Sequence, residues 1–134
     1  MDGTQPPALI DTNVLLRHLL GGPPKQAKRA TAFLRSATGL YCPDVVFAEL
    51  LFALTKTFRL PRAAAAAASG SVLRTASIRV DSRRRLLAAL NLFSAYPISF
   101  VDAYVAALAQ EDGAAVVSFD KDFDRIPEIE RVEP

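Results

Sequence analysis

The sequence of 134 residues has very few of the side chains that bind soft metals or act as thiol nucleophiles. Cys42 is its only cysteine and His18 is its only histidine. A single cysteine excludes an internal disulfide and is typical of a reducing compartment. Zinc sites usually need several cysteine and histidine ligands, so a zinc site is disfavoured. We expect His18 to lie on the surface, which also disfavours a Cys–His nucleophile pair.

The sequence also lacks a long apolar run and a phosphate-binding glycine loop. The longest uncharged stretch, residues 86–101, contains polar residues and a proline, so it is a poor membrane span. Residues 1–4 do not resemble the start of a secretory signal. Residues 21–24 lack the lysine and the spacing of a Walker loop. We therefore expect a cytoplasmic protein that does not associate with a membrane.

The chain does have a large apolar fraction, 51%, together with 22% charged residues. These proportions predict a folded chain, and the length fits a single domain over residues 1–134. The net charge is only +2, but residues 61–89 carry six arginines against one aspartate. Residues 102–134 carry nine acidic residues against three basic ones. The basic segment is either a contact for a polyanion or a solvated face.

Short apolar strands alternate with amphipathic helices, which predicts an α/β fold with a central parallel sheet flanked by helices. We expect strands at residues 8–10, 40–42, 77–80, 114–119 and 131–132. We expect helices at residues 12–20, 24–37, 43–58, 81–95 and 100–110. A further helix begins at Pro61, continues through the alanines of residues 63–68 and is interrupted near Gly70. Asp81 is expected to cap the helix that follows it.

Four acidic residues lie where a carboxylate is either a structural group or a ligand. Asp11 and Asp120 each follow a predicted strand, and ligands of open α/β sheets collect beyond the carboxyl ends of strands. Glu49 lies within an apolar stripe of its helix, where a charged carboxylate is costly unless it is paired or bound to a metal. Asp102 also borders an apolar helix face. The alternatives are an N-cap for Asp11, a buried ion pair for Glu49 and a capping box with Ser99 for Asp102.

Carboxylate oxygens are hard ligands, and they suit Mg²⁺ or Mn²⁺ better than softer metals. We therefore expect Asp11, Glu49, Asp102 and Asp120 to converge on one cleft. A divalent ion bound there would be held by oxygen ligands and by water.

Four short segments surround these acidic residues. They are residues 9–16 (LIDTNVLL), 45–50 (VVFAEL), 100–109 (FVDAYVAALA) and 117–123 (VSFDKDF). Each resembles one of the four acidic motifs of the PIN-domain nucleases. Their order and spacing, and the length of the chain, are similar to those of the compact bacterial toxins of the VapC type.

The resemblance implies a PIN-like three-layer sandwich and a hydrolase that cleaves RNA phosphodiesters with Mg²⁺ or Mn²⁺. Asp11, Glu49, Asp102 and Asp120 match the acidic positions that hold the metal. Asp122 is a candidate fifth ligand. The resemblance also implies that Thr12 and Ser118 orient a carboxylate or a bound water, and that Asn13 either does the same or caps its helix. One metal ion, or two about 3.5–4 Å apart, would activate a water for in-line attack, with no protein nucleophile.

The resemblance further implies a homodimer and inhibition by a cognate antitoxin. Arg83, Arg84 and Arg85 span about 200° of a helix, so only one or two of them can face an RNA phosphate or an acidic partner. The helices at residues 12–20 and 43–58 carry more apolar residues than one buried face needs, so we expect some of this surface to be exposed for a partner. The surplus residues are Leu15, Leu16, Leu19, Leu20, Phe47, Leu50, Leu51, Leu54 and Phe58.

Two other functions stay open from the sequence alone. One is a PIN-fold RNA-processing nuclease outside any toxin system, and an adjacent antitoxin gene would distinguish the toxin from it. The other is a non-catalytic PIN-like module that binds RNA. The presence of all four acidic residues counts against the second alternative.

Overall fold

The computed structural model describes residues 8–134, so the first seven residues of the predicted domain lie outside the described part of the chain. The chain divides into two compact units. The first ends at Asp81, and the second spans Ser82–Pro134. The single domain over residues 1–134 stays a prediction.

The first unit contains a three-stranded parallel sheet and four helices. Its elements are β1 (Ala8–Leu9), α1 (Thr12–Leu20), α2 (Pro24–Ser36), β2 (Leu40–Tyr41), α3 (Asp44–Phe52), α4 (Arg62–Leu73) and β3 (Ile78–Arg79). Strand β2 lies in the middle and pairs in parallel with β1 and with β3. Because all three strands run in one direction, the segments that follow them begin at the same edge of the sheet.

The core of the first unit lies where α1 packs against α2 and α3, and where α3 packs against α4. Its largest fully buried side chains on α1 and α3 are Leu15, Phe47, Leu50 and Leu51. The small residues of α4 allow this helix to approach its neighbours closely, since Ala65 and Ser69 are completely buried.

The second unit contains two helices and a pair of short strands. Its elements are α5 (Arg83–Ala95), α6 (Phe100–Asp112), β4 (Val116–Val117) and β5 (Arg131–Val132), with a 3₁₀ turn at Lys121–Arg125. Strands β4 and β5 pair in parallel. Helices α5 and α6 pack together, and Phe93 meets Phe100 edge to face with 6.2 Å between the ring centroids. Gly113 ends α6 in the left-handed conformation, with φ of 62°.

The predicted α/β fold is confirmed: the predicted helices and strands are present in the described residues, and the strands pair in parallel. Two predictions for the helices were wrong. The helix expected at residues 43–58 is α-helical only to Phe52 and continues as a π-helical turn, Ala53–Thr57. The fourth helix is not interrupted near Gly70, because Ser69 and Gly70 are buried in the packing of a continuous α4.

One prediction for a single side chain was also wrong. Asp81 does not cap α5: the Ser82 side chain accepts from the Arg85 backbone N–H at 3.1 Å, while Asp81 accepts from the Tyr41 hydroxyl. His18, which was expected on the surface, is half-buried, and its Nδ1 lies 2.7 Å from the Thr31 hydroxyl. None of the helices formed by residues 8–134 has the length and apolar character needed to span a membrane.

Candidate metal site

Asp11 lies at the carboxyl edge of the first unit's sheet. The neighbouring Ile10 is buried, and its backbone N–H donates to the Tyr41 carbonyl at 2.9 Å, which fixes the chain just before Asp11. Asp11 is the N-cap of α1, and its Oδ2 accepts from the Asn13 backbone N–H at 3.4 Å. The carboxylate is exposed, so the capping role leaves it accessible to a further ligand.

Thr12, the residue after Asp11, has an unusual environment. Its side chain is buried, and in the described part of the chain its Oγ1 atom has no hydrogen-bond partner. A buried hydroxyl without a partner costs free energy, so it calls for an explanation, and a ligand beside Asp11 would provide one. Asn13 is exposed and touches Asp11 through its backbone rather than through its amide side chain.

Glu49 lies on α3, on a face that is exposed and not buried as the sequence pattern indicated. Its neighbours Val45 and Phe52 are 74% and 63% exposed. Helix α3 is apolar on nearly all sides, so hydrophobic periodicity does not distinguish its inner face from its outer face. Glu49 therefore lies beside an exposed apolar surface.

Most of the apolar residues that were expected to leave exposed surface on α1 and α3 are buried. The apolar side chains that α3 does expose are mainly other residues. Leu15, Leu16, Phe47, Leu50, Leu51 and Leu54 are buried, Leu19 and Leu20 are half-buried, and Phe58 is 44% exposed. Val45 and Phe52 contribute most of the apolar surface that α3 exposes.

Asp102 lies in the first turn of α6 in the second unit. The Ser99 hydroxyl accepts from the Asp102 backbone N–H at 3.1 Å, which forms the predicted cap of this helix. The carboxyl group is half-buried. Burial raises the pKa of Asp102 above its ordinary value, and the charges of Asp120 and Asp122 raise it further, whereas a hydrogen bond with Ser99 lowers it. The ionised form of Asp102 is thus destabilised in this environment, and a nearby positive charge would stabilise it.

Asp120 and Asp122 follow β4 in a tight sequence of turns. The Ser118 hydroxyl accepts from the Asp120 backbone N–H at 2.9 Å, and the Asp120 Oδ1 accepts from the Asp122 backbone N–H at 2.9 Å. Ser118 therefore positions Asp120 through the main chain. Asp122 also forms an ion pair with Arg125 at 3.4 Å, so it is a weaker candidate ligand than Asp120.

The three adjacent arginines of α5 have different environments. Arg85 donates from its Nε to the Glu111 Oε2 at 2.8 Å, so its guanidinium is already paired. Arg83 and Arg84 are exposed. That one of these two arginines contacts RNA or an acidic partner stays a prediction.

Sequence reasoning missed two further acids at the sheet edge of the first unit. Asp44 follows β2 as the first residue of α3, and Asp81 follows β3 after Val80. Asp81 is held by the Tyr41 hydroxyl, at 2.7 Å from its Oδ2. Each follows a strand, as Asp11 does, and that signal was available in the sequence.

In the second unit the charges of Asp120 and Asp122 act on Asp102, while Asp11 and Glu49 lie in the first unit. Within each unit, over residues 8–134, no three His, Cys, Asp or Glu side chains are grouped closely enough to hold a metal ion. Two observations nevertheless fit a divalent cation. The raised pKa of Asp102 would fall beside a cation, and the Thr12 hydroxyl is an unused oxygen next to Asp11. The convergence of all four acids stays a prediction.

Comparison with known proteins gives the family directly. No curated protein matches the sequence. A VapBC2 complex from Rickettsia felis bound to promoter DNA has 17% sequence identity and a TM-score of 0.37, over 94% of this chain and 97% of that one. A toxin–antitoxin complex from Klebsiella pneumoniae has 22% identity and a TM-score of 0.34, over 91% and 94%. The family model described as "PIN domain" matches residues 8–129. This match covers nearly the whole chain, and the chain therefore belongs to the PIN domain family.

Proposed function

We propose that this chain is a divalent-metal-dependent ribonuclease that uses Mg²⁺ or Mn²⁺. PIN domains are generally nucleases that depend on a divalent metal. The observation that supports the proposal most is the placing of Asp102. This acid is half-buried, and its pKa is raised by burial and by the charges of Asp120 and Asp122. A nearby cation would stabilise the ionised form of such a carboxylate.

The local structure of the chain positions the carboxylate oxygens that would bind the metal. The first turn of α1 presents Asp11, and the turn after β4 presents Asp120 through the Ser118 hydroxyl. A bound divalent ion supplies a Lewis acid and an activated water for in-line attack on a phosphodiester. The chain therefore needs no nucleophile of its own. Thr12 offers its hydroxyl to orient a carboxylate or a water beside Asp11.

The proposal is tested with purified variants on total RNA, with the new ends sequenced. Asp11→Asn and Asp102→Asn keep the shape of the side chain but remove its charge. We expect each to lower the cleavage rate at least about a hundredfold, since even the loss of an outer-shell partner of a metal site costs about 10–100-fold. Excess EDTA should abolish cleavage by the wild-type chain.

Asp112→Asn is the matched control, because Asp112 is an exposed acid at the other end of the same helix, α6. It should cleave RNA like the wild type. Undiminished activity of Asp11→Asn or Asp102→Asn, or undiminished wild-type activity in EDTA, would contradict the proposal.

We further propose that the chain is the toxin of a toxin–antitoxin pair, that it acts in the cytoplasm and that it forms a homodimer. The four motif segments and the chain length support this assignment, as does the exposed apolar surface formed by Val45 and Phe52 beside Glu49. The test is induction of the chain alone and together with the small open reading frame next to its gene. We expect the chain alone to arrest growth, and we expect the product of the second reading frame to relieve the arrest. Absence of growth arrest from an active nuclease would favour the RNA-processing alternative.

A further inference from the structure

Helices α1 and α2 of the first unit form a strongly basic surface. Residues 12–36 contain Arg17, Lys25, Lys28, Arg29 and Arg35, and they contain no acidic residue. This concentration of positive charge is separate from the arginine-rich segment at residues 61–89. It was missed in the sequence because the five residues are divided between two helices.

The two helices enclose a groove with a volume of about 620 Å³. Arg17 of α1 and Arg29 of α2 both line it, and Phe33 lines it with 52% of its surface exposed. The amide groups of Asn13 and Gln26 complete its polar lining. The groove thus combines cations, an accessible aromatic ring and side-chain amides.

Arg17 is hydrogen-bonded to a neutral side chain and not to a carboxylate. Its Nε donates to the Gln26 Oε1 at 2.7 Å, which ties α1 to α2 across the groove. Among the ion pairs of the described residues, none involves Arg17 or Arg29. Both guanidinium groups are therefore available to an anion from outside the chain.

The groove begins beside the candidate metal site. Asn13 lines the groove, and its backbone N–H donates to the Asp11 carboxylate. A polynucleotide whose phosphate lies at Asp11 would therefore reach the groove with its neighbouring nucleotides.

We propose that the α1–α2 groove binds single-stranded RNA next to the scissile phosphate, with Arg17 and Arg29 on backbone phosphates and Phe33 stacked on an unpaired base. The inference rests on the proposed ribonuclease function and assigns its substrate-binding residues. Stacking on an exposed aromatic side chain requires an unpaired base, so the groove should prefer a single strand to a duplex. An acidic protein segment would also be attracted by the charge, but it would not need the ring of Phe33.

The test is fluorescence anisotropy of a labelled single RNA strand, measured with the full chain at several salt concentrations and in EDTA, so that no metal-dependent cleavage takes place. Arg17→Gln/Arg29→Gln should bind about tenfold more weakly. Its plot of log affinity against log salt should be shallower by about 1.4, since each phosphate contact on a single strand contributes about 0.7. Phe33→Ala should weaken binding about tenfold, and Phe33→Leu should weaken it similarly because it keeps apolar volume but loses the ring.

The matched control is Lys56→Gln/Arg74→Gln, which removes two positive charges from the first unit outside the groove. It should keep the wild-type salt dependence. Wild-type affinity in both the arginine and the phenylalanine variants would overturn the proposal and assign the groove to a protein partner. An equal loss in the control would also overturn it, because the effect would then be one of net charge.

Cleavage by the wild-type chain with Mg²⁺ separates this inference from the proposed function. If the wild type cleaves RNA and the groove variants bind normally, only the groove assignment fails. If the wild type binds RNA through the groove but cleaves nothing with Mg²⁺ or Mn²⁺, the ribonuclease proposal fails and the groove assignment stands.

Discussion

At the scale of single residues, Thr12 has a buried side chain whose environment folding alone does not explain. Its buried hydroxyl has no partner in the described part of the chain. An unsatisfied buried polar group costs about 1–3 kcal/mol. A valine would remove that cost at nearly the same volume, so selection for stability alone does not account for threonine here.

Thr12→Val should therefore separate stability from activity. We expect an unchanged or higher melting temperature, because the unsatisfied hydroxyl is gone. We expect an RNA cleavage rate lowered about tenfold or more, as for other outer-shell partners of metal sites. Thr12→Ser should restore most of the rate, because it restores the hydroxyl. A Thr12→Val chain with full activity would show that the hydroxyl has no part in the site.

Cys42 illustrates a residue whose chemistry is suppressed by its position. It is completely buried after β2, and burial, helped by the charge of Asp44, raises the pKa of its thiol from 9.0 to about 11. Because the folded pKa lies above the unfolded one, this group favours folding below about pH 9. That contribution is lost as the pH rises toward 11.

We therefore expect Cys42 to resist iodoacetamide in the native chain at neutral pH and to react readily in urea. Mass spectrometry of the alkylated chain measures both rates. The folded Cys42→Ala variant should retain full cleavage activity, since the thiol is not part of the proposed chemistry. Rapid alkylation under native conditions would mean that the thiol is exposed and ionised more easily than its burial predicts.

At the scale of elements, the segment between β4 and β5 positions Asp120 of the candidate site. The Ser118 hydroxyl binds the backbone of Asp120, and Arg131 donates to the Ser118 carbonyl at 3.0 Å while pairing with Asp124 at 2.9 Å. This arrangement fixes the backbone on both sides of Asp120. The carboxylate is then presented by the turn rather than by a helix.

A double-mutant cycle tests this positioning role. Ser118→Ala should lower the cleavage rate about tenfold, within the range for outer-shell groups of metal sites. Asp120→Asn should lower it further. The double variant should be no slower than Asp120→Asn, because Ser118 acts only through Asp120. Additive losses in the double variant would show that Ser118 acts independently.

Element boundaries were predictable where a single residue type decides the backbone. Gly21 and Gly113 end α1 and α6 in the left-handed conformation, which glycine adopts at little cost. The cap of α5 was not predictable, because Asp81 and Ser82 are both good N-caps and only the hydrogen bond from Tyr41 to Asp81 decides between them. The π-helical turn after Phe52 had no clear signal in residues 53–57.

At the scale of the whole molecule, the sequence predicted the α/β fold with parallel strands and the family. It did so because the strand ends and their acids follow a fixed order along the chain. It did not predict which side of α3 is buried, because an almost wholly apolar helix has no clear polar face. The basic α1–α2 surface was also missed, since it depends on two helices packing side by side. Side-chain exposure is set by tertiary packing, and local sequence only constrains it.

The most direct test of the central claim is Mn²⁺ binding by the full chain, measured by electron paramagnetic resonance and by calorimetry. The sequence predicts that Asp11, Glu49, Asp102 and Asp120 hold one divalent ion. Asp11→Asn and Asp102→Asn should therefore each weaken Mn²⁺ binding at least about tenfold, while Asp112→Asn binds like the wild type. A chain in which Asp102→Asn abolishes binding but Asp11→Asn leaves it intact, or the reverse, would contradict the account.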